Sequence, residues 1–291
     1  MSVFLQAIFE GLVNGSTLAL VAMGISLVWG VMGILSFSQG EFMMLAMYSV
    51  FFINLYFGLD PLFCLPFSMA ILFVIGVFIY KLIIAKALKG PKLSQRLITF
   101  ALSMVLVNGA LLLFHGDFRT VNSKIFTKTI DLGLVTIAMN KLVPFLISLF
   151  TAIFMFWFLN KTKIGKAVRA TSMNKTAAGL VGIDTDKVYA FAFGLSASIA
   201  AAAGTALTYF YYVYPNVGKN FQLFGFIAVV MGGFGSVAGA FAGGLIMGLA
   251  DTLTGVYINP AIKYVGIDVV FLLIVQFLPN GIFSGIGGKH K

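Results

Sequence analysis

Long apolar runs alternate with short polar connectors along almost the whole chain. Each run approaches the length of about 20 residues that an α-helix needs to cross the hydrocarbon core of a bilayer. The runs fall near residues 4–31, 39–57, 62–85, 97–114, 142–160, 188–212, 221–232, 237–256 and 265–279. The pattern predicts an all-α polytopic integral membrane protein with about eight or nine membrane helices. No soluble module divides residues 1–291, so we expect a single transmembrane domain.

One apolar run is too short for an ordinary span. Residues 221–232 lead directly into "MGGFGS" (231–236), where four of the six residues are Gly or Ser. This composition favours an unwound break whose free backbone groups line a polar cavity. The sequence therefore predicts a broken or re-entrant helix here. The candidate translocation-path residues of this break are Gly232, Gly233, Gly235 and Ser236.

Small residues recur every four positions in several runs, as on a helix face that packs closely against another helix. Such stripes let backbones approach each other where lipid gives no hydrophobic contrast. Close helix packing is therefore expected along each of them. The stripes are Gly235, Gly239 and Gly243; Gly244 and Gly248; Ser196, Ala200, Gly204 and Thr208; and Gly11, Gly15 and Ala19.

Composition supports the membrane class, and charge orients the chain. Charged residues make up 10% of the chain and mean hydropathy is +1.03, whereas soluble domains are roughly 25% charged. Of the net charge of +10, most lies in two connectors, 81–96 and 161–187, without the aromatic interleaving of an RNA-binding surface. The positive-inside rule places both connectors in the cytoplasm. The N-terminus is then outside, and Lys289 and Lys291 suggest a cytoplasmic C-terminus.

Enzymatic and metal chemistry find no support in the sequence. There is no P-loop motif, since "GKAV" (165–168) and "GKN" (218–220) lack both the Ser/Thr and the upstream glycines. The single Cys64, with only His115 and His290, offers no zinc site. We expect no cofactor on this chain and no hydrolysis of ATP by it.

A few polar residues interrupt the apolar runs. Glu41 stands in "SFSQGEFMMLAMY", close to Ser38 and Gln39. Two interpretations stay open for this acid: a carboxylate favoured by the positive end of a helix dipole, or a group lining a gate or translocation path with Ser38 and Gln39. Two interpretations also stay open for Asn14 and Asn108: they form hydrogen bonds between helices, or they contact substrate.

Three stretches resemble a known family. They are "NGSTLALVAMGISLVWGVMGILSFSQGEFMMLAMY" (14–48), "RATSMNKTAAGLVGIDTDKVYAFAFGLSASIAAAAGTAL" (169–207) and "VVMGGFGSVAGAFAGGLIMG" (229–248). In order and spacing they are similar to the LivH-type permeases of branched-chain amino acid ABC importers. In that family the first stretch usually reads Asn-Phe-Ala-His-Gly-Glu, whereas here it reads Ser-Phe-Ser-Gln-Gly-Glu. A pH-sensitive role of the histidine position would be lost with Gln39.

The resemblance implies a role for the second basic connector. In ABC importers a cytoplasmic loop of the permease, the EAA loop, forms a short helix that docks on the ATPase. The coupling loop at about 161–187 would carry this motif, with Thr176 at the position of the glutamate and Arg169 and Lys175 facing acids on the partner. The residues implied are Arg169, Lys175, Thr176, Ala177, Ala178 and Gly182.

The expected function follows from the resemblance. It implies an inner-membrane permease subunit that works with a homologous permease, two cytoplasmic ATPases that use ATP, and a periplasmic substrate-binding protein. The expected substrate is a branched-chain or related amino acid. Three alternatives stay open: a urea or short-amide importer of the same family, a stand-alone secondary transporter or channel, and an intramembrane enzyme.

Overall fold

A computed structural model of the chain describes residues 2–123, 129–131 and 136–283. The described part is a bundle of α-helices with one pair of short strands. The elements in chain order are α1 (Ser2–Met32), α2 (Gln39–Phe57), α3 (Pro61–Ile79), α4 (Ala85–Ala87), α5 (Lys92–Phe114), β1 (Thr129–Asp131), β2 (Thr136–Ala138), α6 (Met139–Lys161), α7 (Lys163–Met173), α8 (Lys175–Leu180), α9 (Thr185–Leu207), α10 (Val217–Gly232), α11 (Val237–Tyr257) and α12 (Lys263–Phe277).

Eight helices of the described part are long and apolar enough to cross a membrane, which confirms the prediction of an all-α polytopic membrane protein. One of the eight runs from α3 through a π-helical segment, Tyr80–Ile84, into α4. The ninth apolar helix, α10, has only 16 residues, as its sequence suggested. The number of crossings therefore depends on whether α10 is counted as a span.

Burial divides the helices into a centre and a periphery. Helices α1 and α9 form the centre, since most of their residues are shielded by other helices. Helices α5 and α12 are peripheral and expose large apolar side chains along much of their length. Apolar faces of this kind are stable only against lipid or another apolar protein surface.

The predicted small-residue stripes are the places where helix backbones touch. Gly15 of α1 lies against the backbone of Gly244 and Leu245 in α11, and a methyl group on Gly15 would come within 2.9 Å of the Gly244 carbonyl oxygen. Gly204 of α9 meets the Met43 carbonyl of α2 in the same way. The packing interpretation of the stripes is therefore confirmed.

The strand pair is a feature that the apolar pattern does not predict. Strands β1 and β2 are antiparallel, with Ile130 opposite Ile137. Three-residue strands are too short for an alternating pattern to show, although the Thr-Ile dipeptide in each has the β-branched character that strands favour.

Both basic connectors lie at the same end of the bundle. Lys92 and Arg96 of the first connector and Lys175 of the second line one common cavity, together with the end of α1. This arrangement agrees with the predicted topology, in which both connectors face the cytoplasm. Lys289 and Lys291, on which the prediction for the C-terminus rests, lie outside the described residues.

Candidate functional site

Helix α2 begins in the middle of the bundle rather than at its end. In its first turn the Gln39 side-chain amide donates a hydrogen bond of 2.6 Å to the Ser196 hydroxyl, and Ser196 is the middle residue of α9. Two residues later, Glu41 Oε1 accepts a hydrogen bond of 2.8 Å from Ser103, the middle residue of α5. The polar start of α2 therefore lies at mid-depth.

A non-helical segment, residues 33–38, leads back from the end of α1 to this point. Its carbonyl groups find partners on other elements: the Thr99 hydroxyl donates to the Leu35 carbonyl at 2.9 Å, and the Gln222 amide donates to the Ser36 carbonyl at 3.0 Å. Ser38 is fully buried, and its hydroxyl is bonded to that of Ser36 at 3.1 Å. Ser38 therefore fixes this segment and does not face open space.

Helices α2 and α10 cross at two glycines. A methyl group on Gly40 would overlap the Gly218 carbonyl, and one on Gly218 would overlap the Gly40 carbonyl. Beside the crossing, the Gly40 N–H donates to Gln222 Oε1 at 2.7 Å. Because Gln222 also donates to Ser36, this one side chain joins α10, the start of α2 and the segment 33–38.

Glu41 is an incompletely paired acid at this crossing. Its side chain is only 2% exposed, Ser103 satisfies Oε1, and Oε2 has no hydrogen-bond partner among the described residues. A buried carboxylate without a full set of partners is costly, and near the middle of a membrane it is usually functional.

A cavity of about 530 Å³ opens beside Glu41, between α2, α5 and α10. We call it the central cavity. Its lining combines polar groups with apolar side chains, of which Met104 on α5 is exposed. Its lining residues are Phe37, Glu41, Phe100, Ser103, Met104, Val107, Asn108, Leu111, Asn216, Lys219 and Gln222.

The structure places the helix break at the end of α10, as the sequence predicted. Helix α10 stops at Gly232, and Gly233 (φ 102°) and Gly235 (φ 80°) then adopt backbone conformations that disfavour side chains. Ser236 caps α11 by accepting from the Gly239 N–H at 3.0 Å. The break lies at the end of the bundle that holds the basic connectors, so these residues are not brought together with Glu41.

The free carbonyl groups at the end of α10 are partly satisfied by the chain itself. The N–H of Ile282 donates to the Met231 carbonyl at 2.9 Å, and that of Phe283 donates to the Gly232 carbonyl at 3.2 Å. Gly235, by contrast, lines a second cavity. The expected cavity beside the break is therefore found next to Gly235.

The second cavity, also about 530 Å³, lies at the basic end of the bundle. We call it the basic-end cavity. It joins the break to the coupling loop, because Gly235 and Lys175 both line it. The Trp29 ring packs against Phe234 with ring centroids 4.9 Å apart, and the Lys175 ammonium lies 5.1 Å from the centre of the Tyr189 ring.

The coupling loop consists of α7 and α8 with well-defined ends. Asn174 caps α8 by accepting from the Ala177 N–H at 3.0 Å, and Gly182 ends it with φ 85°. Asp184 then caps α9 by accepting from the Lys187 N–H, as expected for an acid at a helix start. Hydrogen bonds from Lys187 lower the pKa of the Asp184 carboxyl, which favours its ionised form.

The surface of this loop differs in part from the expectation. Thr176 and Ala177 are exposed, but Ala178 is buried against its own chain at 3% exposure, so it cannot itself contact a partner. Large apolar side chains are exposed instead: Met173 (80%) and Leu180 (84%). Arg169 is held by its own chain, through a 2.8 Å hydrogen bond to the Asn160 side chain.

Asn14 belongs to neither site. It lines a third cavity of about 230 Å³ at the other end of the bundle, near Asp251 and Lys263, whose charged atoms are 3.9 Å apart. Asn108 forms no bridge between helices in the described part of the chain; it donates to the Met104 carbonyl one turn earlier and is otherwise exposed beside the central cavity.

Comparison with known proteins decides the family. A family model described as "Branched-chain amino acid transport system / permease component" matches residues 7–275. The chain belongs to this permease family. The permease LivH of Salmonella typhimurium, described as high-affinity branched-chain amino acid transport system permease protein, is 31% identical over 97% of this chain and 96% of its own.

The chain is also similar to a second permease and to one solved structure. The permease protein BraD of Pseudomonas aeruginosa is 28% identical over 97% of this permease and 96% of its own length. The solved structure of PsaBC from Streptococcus pneumoniae in complex with Fab has a TM-score of 0.45 at 14% identity, covering 95% of this chain and 92% of that one.

Three polar residues that line the permease's central cavity were not singled out as site residues from the sequence: Ser103, Lys219 and Gln222. Lys219 stands out in the sequence only as part of the failed P-loop string "GKN". Its position just before the shortest apolar run could have indicated a special role. A lysine at the start of a helix is unfavourable, because the helix dipole is positive there.

Proposed function

We propose that the chain is a transmembrane permease subunit of an ABC importer for branched-chain or related amino acids, located in the cell inner membrane. The family match over residues 7–275 and the eight apolar helices support this proposal. Relatives whose names specify branched-chain amino acid transport support the substrate class.

In this proposal the permease works as one part of a larger assembly. Its partners are a homologous second permease, two cytoplasmic ATPase subunits and a periplasmic substrate-binding protein. ATP is used by the ATPase subunits, and this chain binds no cofactor of its own. The absence of a P-loop motif from the sequence agrees with that division of labour.

The exposed apolar surface of the coupling loop is the observation that best supports coupling to an ATPase. Leu180 and Met173 expose most of their surface on short helices that are not among the candidate spans. A cluster of apolar side chains in that position is typical of a docking surface for another protein. Lys175 and nearby basic groups would pair with acids at its rim.

Coupling requires that this docking surface fit the ATPase differently in the inward-open and outward-open states. Contacts lead from the loop into the bundle: Lys175 packs on Tyr189 at the start of α9, and both line the basic-end cavity with Gly235. A displacement of α8 therefore acts directly on central helix α9 and on the break before α11.

The experiment that tests the proposal is copurification of the tagged chain from native membranes in a mild detergent, followed by leucine uptake in reconstituted vesicles. Recovery of two ATPases and a second permease, with uptake that requires ATP and the binding protein, is the expected result. Recovery of the chain alone, in a detergent that preserves such complexes, would contradict it.

A variant pair connects this assembly to the loop. Leu180→Glu places a charge in the apolar docking surface and is expected to reduce ATPase recovery and uptake at least tenfold. Thr176→Glu adds the same charge at the exposed position where the family motif has its glutamate, so it is expected to retain both. Normal ATPase recovery and uptake by Leu180→Glu would exclude the apolar surface of α8 as the docking element.

A second candidate function, a stand-alone secondary transporter, is favoured by one observation. The unpaired Glu41 oxygen at mid-depth resembles the ion-coupling acids of such proteins. Uptake by the chain alone, driven by an ion gradient and independent of ATP, would support this candidate. The same family also leaves open a urea or short-amide substrate, which competition of these compounds with leucine in the uptake assay would reveal.

A further inference from the structure

The central cavity has the chemistry of a site for a zwitterion with an apolar side chain. The buried Glu41 carboxylate, with Oε2 unpaired, requires a positive partner in this low-dielectric environment. No cation lies within 4 Å of it among the described residues, and Lys219 faces the same cavity without forming an ion pair with it.

A positive region faces the same cavity. Lys219 lines it from the first turn of α10, where a cation is unfavourable next to the positive end of the helix dipole. The first turn of α2 begins beside it, because Gly40 and Gly218 are in contact. The start of α2 already carries Glu41 in its first turn, whereas the first turn of α10 has no acid. The α10 start and the Lys219 ammonium therefore present positive charge that the carboxylate of a ligand would relieve.

The rest of the lining is apolar. Phe37 and Phe100 pack edge to face with centroids 6.0 Å apart, and Met104 and Val107 continue the wall along α5. The volume of about 530 Å³ falls within the usual range for small-molecule sites, about 300–1,000 Å³. Acid, cation and apolar wall thus surround one space large enough for a single amino acid.

We propose that the central cavity binds an α-amino acid with an apolar side chain, with its ammonium on Glu41, its carboxylate on Lys219 and its side chain against Phe37 and Phe100. This inference rests on the proposed function, and adds the recognition site within the permease itself. Ser103 and Gln222 are positioning residues, because they hold Glu41 and the start of α2.

The test measures protection of a single cysteine in the assembled transporter. The sequence contains only Cys64, so Cys64→Ala combined with Met104→Cys places one thiol of this chain on the cavity wall. Membrane vesicles carrying the complex are labelled with a maleimide, and labelling of this chain is read by mass spectrometry. Leu112→Cys, on the same helix but outside the lining, is the labelling control.

Three probes separate the two charges: leucine, leucinamide, which lacks the carboxylate, and 4-methylpentanoate, which lacks the ammonium. Leucine is expected to protect the Met104→Cys thiol at concentrations at least about tenfold lower than either analogue, since a charge-assisted hydrogen bond contributes about that factor. The Leu112→Cys thiol is expected to show no protection.

The charge variants then assign each contact. In the Glu41→Gln variant, leucine and 4-methylpentanoate are expected to protect the thiol at similar concentrations, while leucine still protects at lower concentrations than leucinamide. In the Lys219→Met variant, leucine and leucinamide should become similar, while leucine still protects at lower concentrations than 4-methylpentanoate. Asp251→Asn, an acid of the separate third cavity, should change neither ratio. Because each ratio compares ligands within one variant, a general loss of stability does not produce these results.

The outcomes also separate this site from the proposed function. ATP-dependent leucine uptake without protection of the Met104→Cys thiol, or an equal effect of Glu41→Gln on leucine and 4-methylpentanoate, overturns the central site while the importer stands. Protection with the expected ratios, but without any ATP-dependent uptake, supports the site and removes the proposed importer.

Discussion

At the residue scale, the central site depends on positions that tolerate nothing larger than hydrogen. Gly40 and Gly218 allow two helix starts to touch, and Gln222 of α10 satisfies the Gly40 N–H and the Ser36 carbonyl on the α2 side of the contact. These residues do no chemistry themselves. They determine where Glu41 lies.

Gly218→Ala is expected to separate α2 from α10, because the new methyl group would overlap the Gly40 carbonyl. Uptake should fall at least tenfold and the complex should unfold at lower temperature. Gly109→Ala is the control: Gly109 lies in α5 with nothing within 4 Å of the new methyl group, so this change should be neutral or stabilise by up to about 1 kcal/mol. Similar uptake by both variants would contradict the close crossing.

Gln222→Leu is expected to destabilise the fold, because it leaves the Gly40 N–H and the Ser36 carbonyl without partners. Each buried unsatisfied group costs about 1–3 kcal/mol. Thermal unfolding of the detergent-solubilised protein, followed by fluorescence, measures the loss. An unchanged unfolding midpoint for Gln222→Leu would rule out this structural role.

At the element scale, the coupling loop shows how short helices are fixed by their ends. Asn174 starts α8 and Gly182 ends it, and Ala178 is its one buried residue, so the position of this six-residue helix depends largely on its two ends. Helix propensity alone could not hold so short a helix in water.

Gly182→Ala is expected to strain the end of α8, since Gly182 has φ 85° and a non-glycine residue there costs about 1–2 kcal/mol. Transport should weaken several-fold while membrane insertion persists. Gly179→Ala is the control, because it adds the same methyl group within α8 at a residue without a positive φ. At both glycines the added methyl group would have no other atom within 4 Å. If ATP-dependent uptake drops as much with Gly179→Ala, conformational strain is not the cause.

The sequence predicted elements better than it predicted their depth. Apolar runs identified the spans, and the Gly-Ser composition of 231–236 identified the break, because both signals are local. It could not show that α2 starts at mid-depth, since this depends on contacts with Ser103 and Ser196 more than 60 residues away. Nor could it show that Ala178 faces inward, because helical periodicity is hard to assess in six residues.

At the scale of the whole molecule, cavities mark the two ends and the middle of the bundle. The basic-end cavity gathers Lys92, Arg96 and Lys175, and the third cavity lies at the opposite end beside Asp251 and Lys263. The central cavity lies between these levels on one flank of the bundle.

The orientation of this order is testable with single cysteines in the Cys64→Ala background. Thr176→Cys should react with an impermeant thiol reagent only in inside-out vesicles, and Asp117→Cys only in right-side-out vesicles or intact spheroplasts. Both positions are exposed, so access to the reagent is not limited by burial. Reaction of both on the same side would contradict the positive-inside topology.

The segment 33–38 separates two of these spaces. Leu35 lines the basic-end cavity, whereas Phe37 lines the central one, so the partition between them is a few residues of non-helical chain. Thr99 and Gln222 hold its carbonyls by side-chain hydrogen bonds, with no helical ladder to break. The partition between the two cavities therefore rests on a few side-chain hydrogen bonds, whereas the helices around it are packed backbone to backbone at glycines.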